Sequence, residues 1–260
     1  MVRGLYMAST GMLLQTARMD AISNDLANTN TTGYKKDVVV AESFEDVLIK
    51  RLGGTNQDIK PLVDVGYMSF GVKVSDVYTQ FAQGSLIMTT SKTDLALQGD
   101  GFFVIDTGAE EMYTRDGAFE INQYSQLVTQ EGYAVMGLEG PIQVMEDIED
   151  GVLNVEASLD IRENGDVYFG GEFIDTIRVV NVDDPQLLEK RTDDLFALGT
   201  AQLEESDALV ISSYLEASNV NVVQGMVDMI TVSRSYEASQ KLVQVHDDLL
   251  NKAINEVGRA

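Results

Sequence analysis

No cysteine occurs among the 260 residues. That excludes disulfides, zinc–thiolate centres and thiol catalysis. The single histidine is His246, so no metal site on this chain can use two imidazoles. Tryptophan is absent and proline occurs three times. No apolar run reaches the ~18 residues of a membrane span, so direct membrane insertion is not expected. Arg3 supplies a charge near the start, but Ser9, Thr10, Gly11 and Gln15 interrupt the apolar stretch that a secretory signal needs. Basic residues are scarce: 18 Lys/Arg face 42 Asp/Glu, for a net charge of −24. The imbalance is local. Residues 1–50 hold five basic and six acidic groups and residues 216–260 hold four and six, which leaves −21 for residues 51–215. Such a middle repels nucleic acid and anionic lipid, whereas the near-neutral ends can associate.

With 44% apolar residues the chain can build a core. Its two ends carry heptads. At the start, Leu5, Met12, Met19 and Leu26 recur every seven residues, with Ala8 and Ile22 interleaved and Gln15 as a polar interruption. The spacing predicts a helix of roughly seven turns ending near Asn28, followed by a turn at Gly33. At the far end, Val222, Met229, Tyr236, Val243, Leu250 and Val257 keep the same period, with Met226 and Ile254 offset by four, which predicts a helix over residues 219–257. Seams this narrow need partner helices, so the two ends are expected to pair in coiled-coil fashion with each other, with neighbouring copies, or both.

Between the ends the signals change. Residues 42–52 read as a short amphipathic helix with Phe44, Val47, Leu48 and Arg51 on one face, stopped by Gly53-Gly54. Residues 53–70 read as a connector punctuated by Pro61 and Gly66. From Gly71 the apolar period becomes two, with short strands separated by turn residues. Asn164-Gly165 marks a hairpin, because Asn-Gly accepts the positive φ of a two-residue turn. Asp183-Asp184-Pro185 ends another strand, and a helical turn follows at Leu187-Leu188. The expected class is α+β: paired N- and C-terminal helices plus a central, mainly antiparallel β domain. Its expected parts are an N-terminal assembly segment (1–52), a connector (53–70), a β domain (71–213) and a C-terminal assembly helix (214–260).

Motifs for chemistry are missing. Gly99-Asp100-Gly101 lacks the Lys-Ser/Thr of a phosphate loop and reads as a turn. Asp160–Gly171 has Arg162 and Gly171 where a calcium loop needs acids. There is no Gly-x-Ser-x-Gly elbow and no His-Glu-x-x-His. His246 reads as a solvated helix residue. The chain is therefore not expected to be an enzyme or to require a cofactor or metal.

Four stretches carry a resemblance. Leu26-Ala-Asn28-Thr-Asn30-Thr-Thr-Gly33-Tyr34-Lys35 resembles the N-terminal signature of the bacterial flagellar axial proteins of rod and hook. Asp94-Leu-Ala-Leu-Gln-Gly99-Asp-Gly101-Phe102-Phe103 and Tyr113-Thr-Arg-Asp-Gly-Ala-Phe119 are similar to its central elements. Leu215-Glu-Ala-Ser218-Asn219-Val-Asn221-Val, with Arg234 further on, resembles its C-terminal signature. The absence of a large insertion between Val135 and Leu215 favours a rod over a hook protein; the distal and proximal rod proteins are close relatives, and the Ser218–Val222 run favours the distal over the proximal branch.

The resemblance implies a structural subunit of the flagellar basal-body rod, with terminal helices forming an inner tube and the β domain an outer layer. Implied partners are copies of itself, other rod and hook proteins and the flagellar type III export apparatus. The assembly residues would be Leu5, Ala8, Met12, Met19, Ile22, Leu26, Val222, Met226, Met229, Tyr236, Val243 and Leu250, burying apolar surface only on assembly. Both termini are then expected to be largely disordered in the free subunit. The family places acidic residues where this chain has Gln224-Gly225, and Gly costs about 1 kcal/mol inside a helix, so the last helix is expected to bend there or begin later. A second reading is a secreted acidic β protein that binds an ion or carbohydrate and oligomerises through helical ends.

Overall fold

The computed structural model describes residues 2–51, 63–144, 159–192 and 194–257. The chain divides into two compact units. One comprises residues 1–26, 37–78 and 222–260; the other comprises 27–36 and 79–221.

The first unit holds both long helices, α1 (Val2–Ala27) and α2 (Val222–Lys252). A short π-helical turn, Ala253–Val257, follows α2. Neither helix contains proline, and α1 stops where Asn28, Thr29 and Asn30 favour turns over helix. Helix α2 begins at Val222 and includes Gly225 within its first turn, so the expected late start does not occur.

Residues 42–52 are not a helix. Asp37–Ser43 pairs with Val72–Thr79, and Val47–Arg51 forms an antiparallel ribbon with Val63–Met68. Val38-Val39-Val40 and Val47-Leu48-Ile49 explain the difference. β-Branched side chains lose rotamer freedom against a helical turn and fit a pleated strand. Residues 52–62, most of the expected connector, lie outside the described residues.

The second unit is built around a nine-stranded antiparallel sheet. Its centre is Phe102–Asp106, which pairs with Glu111–Thr114, Ala134–Val135 and Val179–Val182. Phe102-Phe103-Val104-Ile105 is apolar without alternation because both faces of this strand are covered. Phe103 and Ile105 join a core with Leu95, Phe119, Leu127 and Val135, while Phe102 and Val104 join a second with Tyr113, Val180 and Phe196.

Hairpin Leu159–Ile161 to Asp166–Phe169 forms at the expected place. Arg162 N–H donates to Asp166 O at 3.0 Å, which leaves a three-residue loop, and only Gly165 takes positive φ (86°). Pro185–Leu187 is a 3-10 turn capped by Asp184. Among the described residues no helix is long and apolar enough to cross a membrane.

Candidate functional site

The motif turn is a buried junction inside the second unit. Gly33 has φ 66°, and a Cβ there would fall 2.3 Å from Asp116 N and 2.5 Å from the Arg115 carbonyl carbon, so only glycine fits. Its N–H donates to Glu216 O at 2.8 Å. Tyr34 and Lys35 are fully buried. Lys35 Nζ donates to Glu216 Oε1 and to Ala82 O at 3.0 Å. Gly84 N–H donates to the same Oε1 at 2.7 Å, and Arg115 Nη1 donates to Oε2 at 3.4 Å. Arg115 also lies 5.3 Å over the Phe102 ring, and Lys190 lies 4.4 Å over Tyr34. Two cations thus share one carboxylate with little water. Burial pushes the Lys35 ammonium and the Arg115 guanidinium below their ordinary pKa, opposed in each case by Glu216.

Two further clasps complete the junction. The Thr32 hydroxyl donates to Asp116 Oδ1, which also accepts from Ala118 N–H at 3.1 Å. Burial pushes the Asp116 carboxyl up to about 6, against the lowering effect of those hydrogen bonds. Asn219 Oδ1 accepts from Lys36 N–H at 2.9 Å, while its Nδ2 donates to Gln80 O at 2.7 Å and Ala82 O at 3.2 Å. Ser218 Oγ accepts from Val220 N–H at 3.3 Å. Of the motif residues, Gly33, Tyr34, Lys35, Phe102 and Asn219 converge here. Asn28 closes the preceding turn, its carbonyl accepting from Thr31 N–H at 3.2 Å. Asn30 is exposed, Gly99 and Gly101 form the bend before Phe102–Asp106, and Arg234 is exposed on α2. Thr32, Arg115, Asp116 and Glu216 lie within the motifs with no local signal to mark them; they meet across long stretches of sequence, where no periodicity reaches.

In the first unit, α1 and α2 approach at three points. A Cβ on Gly4 would meet His246 Nε2 at 2.6 Å, one on Gly11 would meet Ser239 Oγ at 3.9 Å, and one on Gly225 would meet Leu26 Cδ1 at 3.8 Å. Low numbers on α1 meet high numbers on α2, so the helices run in opposite directions. A Cβ at Gly225 would meet Leu26 at ordinary van der Waals distance, so packing against α1 does not require glycine there.

The less exposed stripe of α2 carries Val222, Met229, Tyr236, Val243 and Leu250, interleaved with Gly225, Val232, Ser239 and His246, and Ala253 of the following turn continues it. The interleaving offset is three, not four. Met226 and Ile254 lie off the stripe and are more than half exposed. Gly, Ser and His at the interleaved positions hid it from a search for apolar residues. His246 is accordingly not a solvated residue: it is half-buried, and its Nδ1 is buried without a hydrogen-bond partner among the described residues. On α1, Ala8 is buried, Met12, Met19, Ile22 and Leu26 are half-buried, and Leu5 is at the edge of exposure.

The second unit thus carries a buried junction built from the motif turn and the C-terminal return, and the first unit carries two antiparallel heptad helices. Three family models match, in order: "Flagella basal body rod protein" over residues 5–35, "Flagellar hook protein FlgE/F/G D1 domain" over 96–169, and "Flagellar basal body rod FlgEFG protein C-terminal" over 211–256. The buried junction takes residues from all three: Gly33 and Lys35, Arg115 and Asp116, Glu216 and Asn219. The chain is 32% identical to the flagellar basal-body rod protein FlgG of Borreliella burgdorferi over 98% of both chains. It is 30% identical to FlgG of Caulobacter vibrioides, over 96% of this chain and 97% of that one. Against the rod protein FlgF of the same bacterium it is also 30% identical, over 100% and 99%. The chain belongs to the flagellar basal-body rod protein family, a family of structural subunits of the flagellar basal body.

Proposed function

We propose that this chain polymerises through its terminal helices into the hollow rod of the flagellum, a shaft that carries torque and encloses an export channel, with other rod and hook proteins as axial neighbours. One observation carries the assembly step. Helix α2 spans 31 residues and its only buried residue is Val232. A helix that long with so little burial has stability to gain from neighbours, because its apolar side chains are still in water. At roughly 25 cal/mol per Å², a few hundred Å² buried per helix yields several kcal/mol. The antiparallel approaches of α1 and α2 support coiled-coil pairing within the subunit, with the seam residues from Leu5 to Leu26 and from Val222 to Leu250 buried completely in the polymer. In this reading residues 1–52 and 214–260 serve assembly and residues 71–213 face outward, the branch is distal rod from the Ser218–Val222 run, and the chain reaches its site through the flagellar type III export apparatus. The near-neutral ends and the acidic middle fit that division of labour.

The test is Met19→Asp, which places a charge on the α1 seam. Polymer recovered by sedimentation should vanish, while the near-ultraviolet circular dichroism of the β unit, dominated by buried Phe and Tyr, stays as in the wild type. Polymer formed at wild-type concentration would mean that the seam is misassigned.

A further inference from the structure

The first unit contains a groove that no described residue fills. It has a volume of about 730 Å3 and opens between the first turns of α1 and the strand ends near Phe44 and Phe70. Tyr6, Phe44, Val47 and Phe70 form its apolar walls. The Tyr6 and Phe44 rings stand 6.2 Å apart, and Arg3 lies 5.2 Å over Phe70. Its rim is balanced in charge: Lys73 pairs with Glu42 at 3.2 Å, and the other lining charges are Arg3 and Glu45. A strongly acidic partner gains nothing from such a rim; a near-neutral apolar one does.

The same unit presents a matching ridge. Val223, Met226, Val227 and Ile230 on α2 are each more than half exposed. They fall at i, i+3, i+4 and i+7, the spacing by which an amphipathic helix lays its apolar face into a hydrophobic groove. Asp228, exposed beside them, accepts only from Gln224 of its own helix among the described hydrogen bonds, at 2.8 Å, and complements Arg3 in sign.

A chain cannot seat its own ridge. Gly225 lies beside Leu26 at one end of α1, whereas the groove is lined by Arg3 and Tyr6 at the other. Twenty helical residues separate those ends by ~30 Å. We infer that the groove receives the Val223–Ile230 ridge of a second copy of this chain. Ridge and groove are different surfaces of one molecule, so the contact is head-to-tail, and head-to-tail contacts that do not close propagate as open helical assemblies. The inference rests on the rod reading and specifies one of its contacts.

The cysteine-free chain offers a direct test. In Val47→Cys/Val227→Cys, both substitutions are at exposed positions on opposite partners. Oxidising the sedimented polymer should give a ladder of disulfide-linked dimers, trimers and longer species, absent from either single variant. Val47→Asp, which puts a carboxylate into the groove without touching α2, should raise the critical concentration for assembly by about tenfold or more. Wild-type-like polymer from the double variant with no ladder overturns the inference and leaves the rod reading standing, as does an unchanged critical concentration for Val47→Asp. A wild-type chain that forms no polymer at any concentration overturns the rod reading, and this contact with it.

Discussion

Lys35 and Glu216 are 181 positions apart and meet with both side chains fully buried. A buried pair gains little over a well-packed apolar substitute, but removing one partner alone strands a charge, at about 3–5 kcal/mol. Lys35→Met should therefore cost about that much in urea unfolding of the β unit, moderated by Arg115, which stays on Glu216. Lys35→Met/Glu216→Gln should recover part of the loss; equal loss in single and double variants would show that packing, not charge, holds the junction. Asp116 behaves oppositely. Its folded pKa of about 6 stands above the ordinary aspartate value of 3.8, so the native state holds the proton more tightly than the unfolded chain. Between about pH 4 and 6 its contribution to stability falls as pH rises, and the burial cost is fully present above pH 6. Asp116→Asn keeps an acceptor for Thr32 and Ala118 without the charge. It should be more stable than wild type at pH 7.5, by on the order of 2 kcal/mol, with the gap closing toward pH 4 in parallel thermal melts. Sequence motifs point to Gly33, Lys35 and Asn219, yet not to Glu216 or Asp116, since an acid among 42 acids carries no signal until the fold buries it against Lys35 and Arg115 or against the Thr32 hydroxyl.

Among elements, the helices were the more legible because a heptad is a local pattern that survives in any context. The reading failed where a local pattern was ambiguous. Phe44, Val47, Leu48 and Arg51 suit a helix face, but Val47–Arg51 finds its partner in Val63–Met68 and becomes a strand. The offset error on α2 has a similar cause: Gly225, Ser239 and His246 on the less exposed stripe are not apolar, and such residues carry no hydrophobic period. These elements also bear on the free subunit. Within the first unit α1 buries few residues, chiefly Ala8, Thr10, Leu14 and Asp25. Helices held by so few contacts open locally at low cost. In amide exchange on dilute monomer, residues 5–26 and 222–250 should exchange far faster than the Phe102–Asp106 strand, and strong protection of residues 5–28 would show that the helices do not wait for assembly.

At the scale of the whole molecule, near-neutral helical ends and a middle of −21 impose opposing demands on a polymer. In the proposed polymer, assembly would gather apolar seams, which salt strengthens slightly or leaves unchanged, and would crowd acidic β units, whose repulsion salt screens. The Debye length falls from roughly 20 Å to about 7 Å as ionic strength rises from ~20 to ~200 mM. Both effects act in one direction. The critical concentration for polymer, read by sedimentation across that range, should fall as salt rises. An interface dominated by ion pairs between copies would respond in the opposite sense, because screening would weaken the contacts that hold it. The salt dependence thus separates an apolar shaft carrying an acidic coat from a shaft held by charge, and a rise in critical concentration would move the assembly surface from the seams of α1 and α2 to the acidic units.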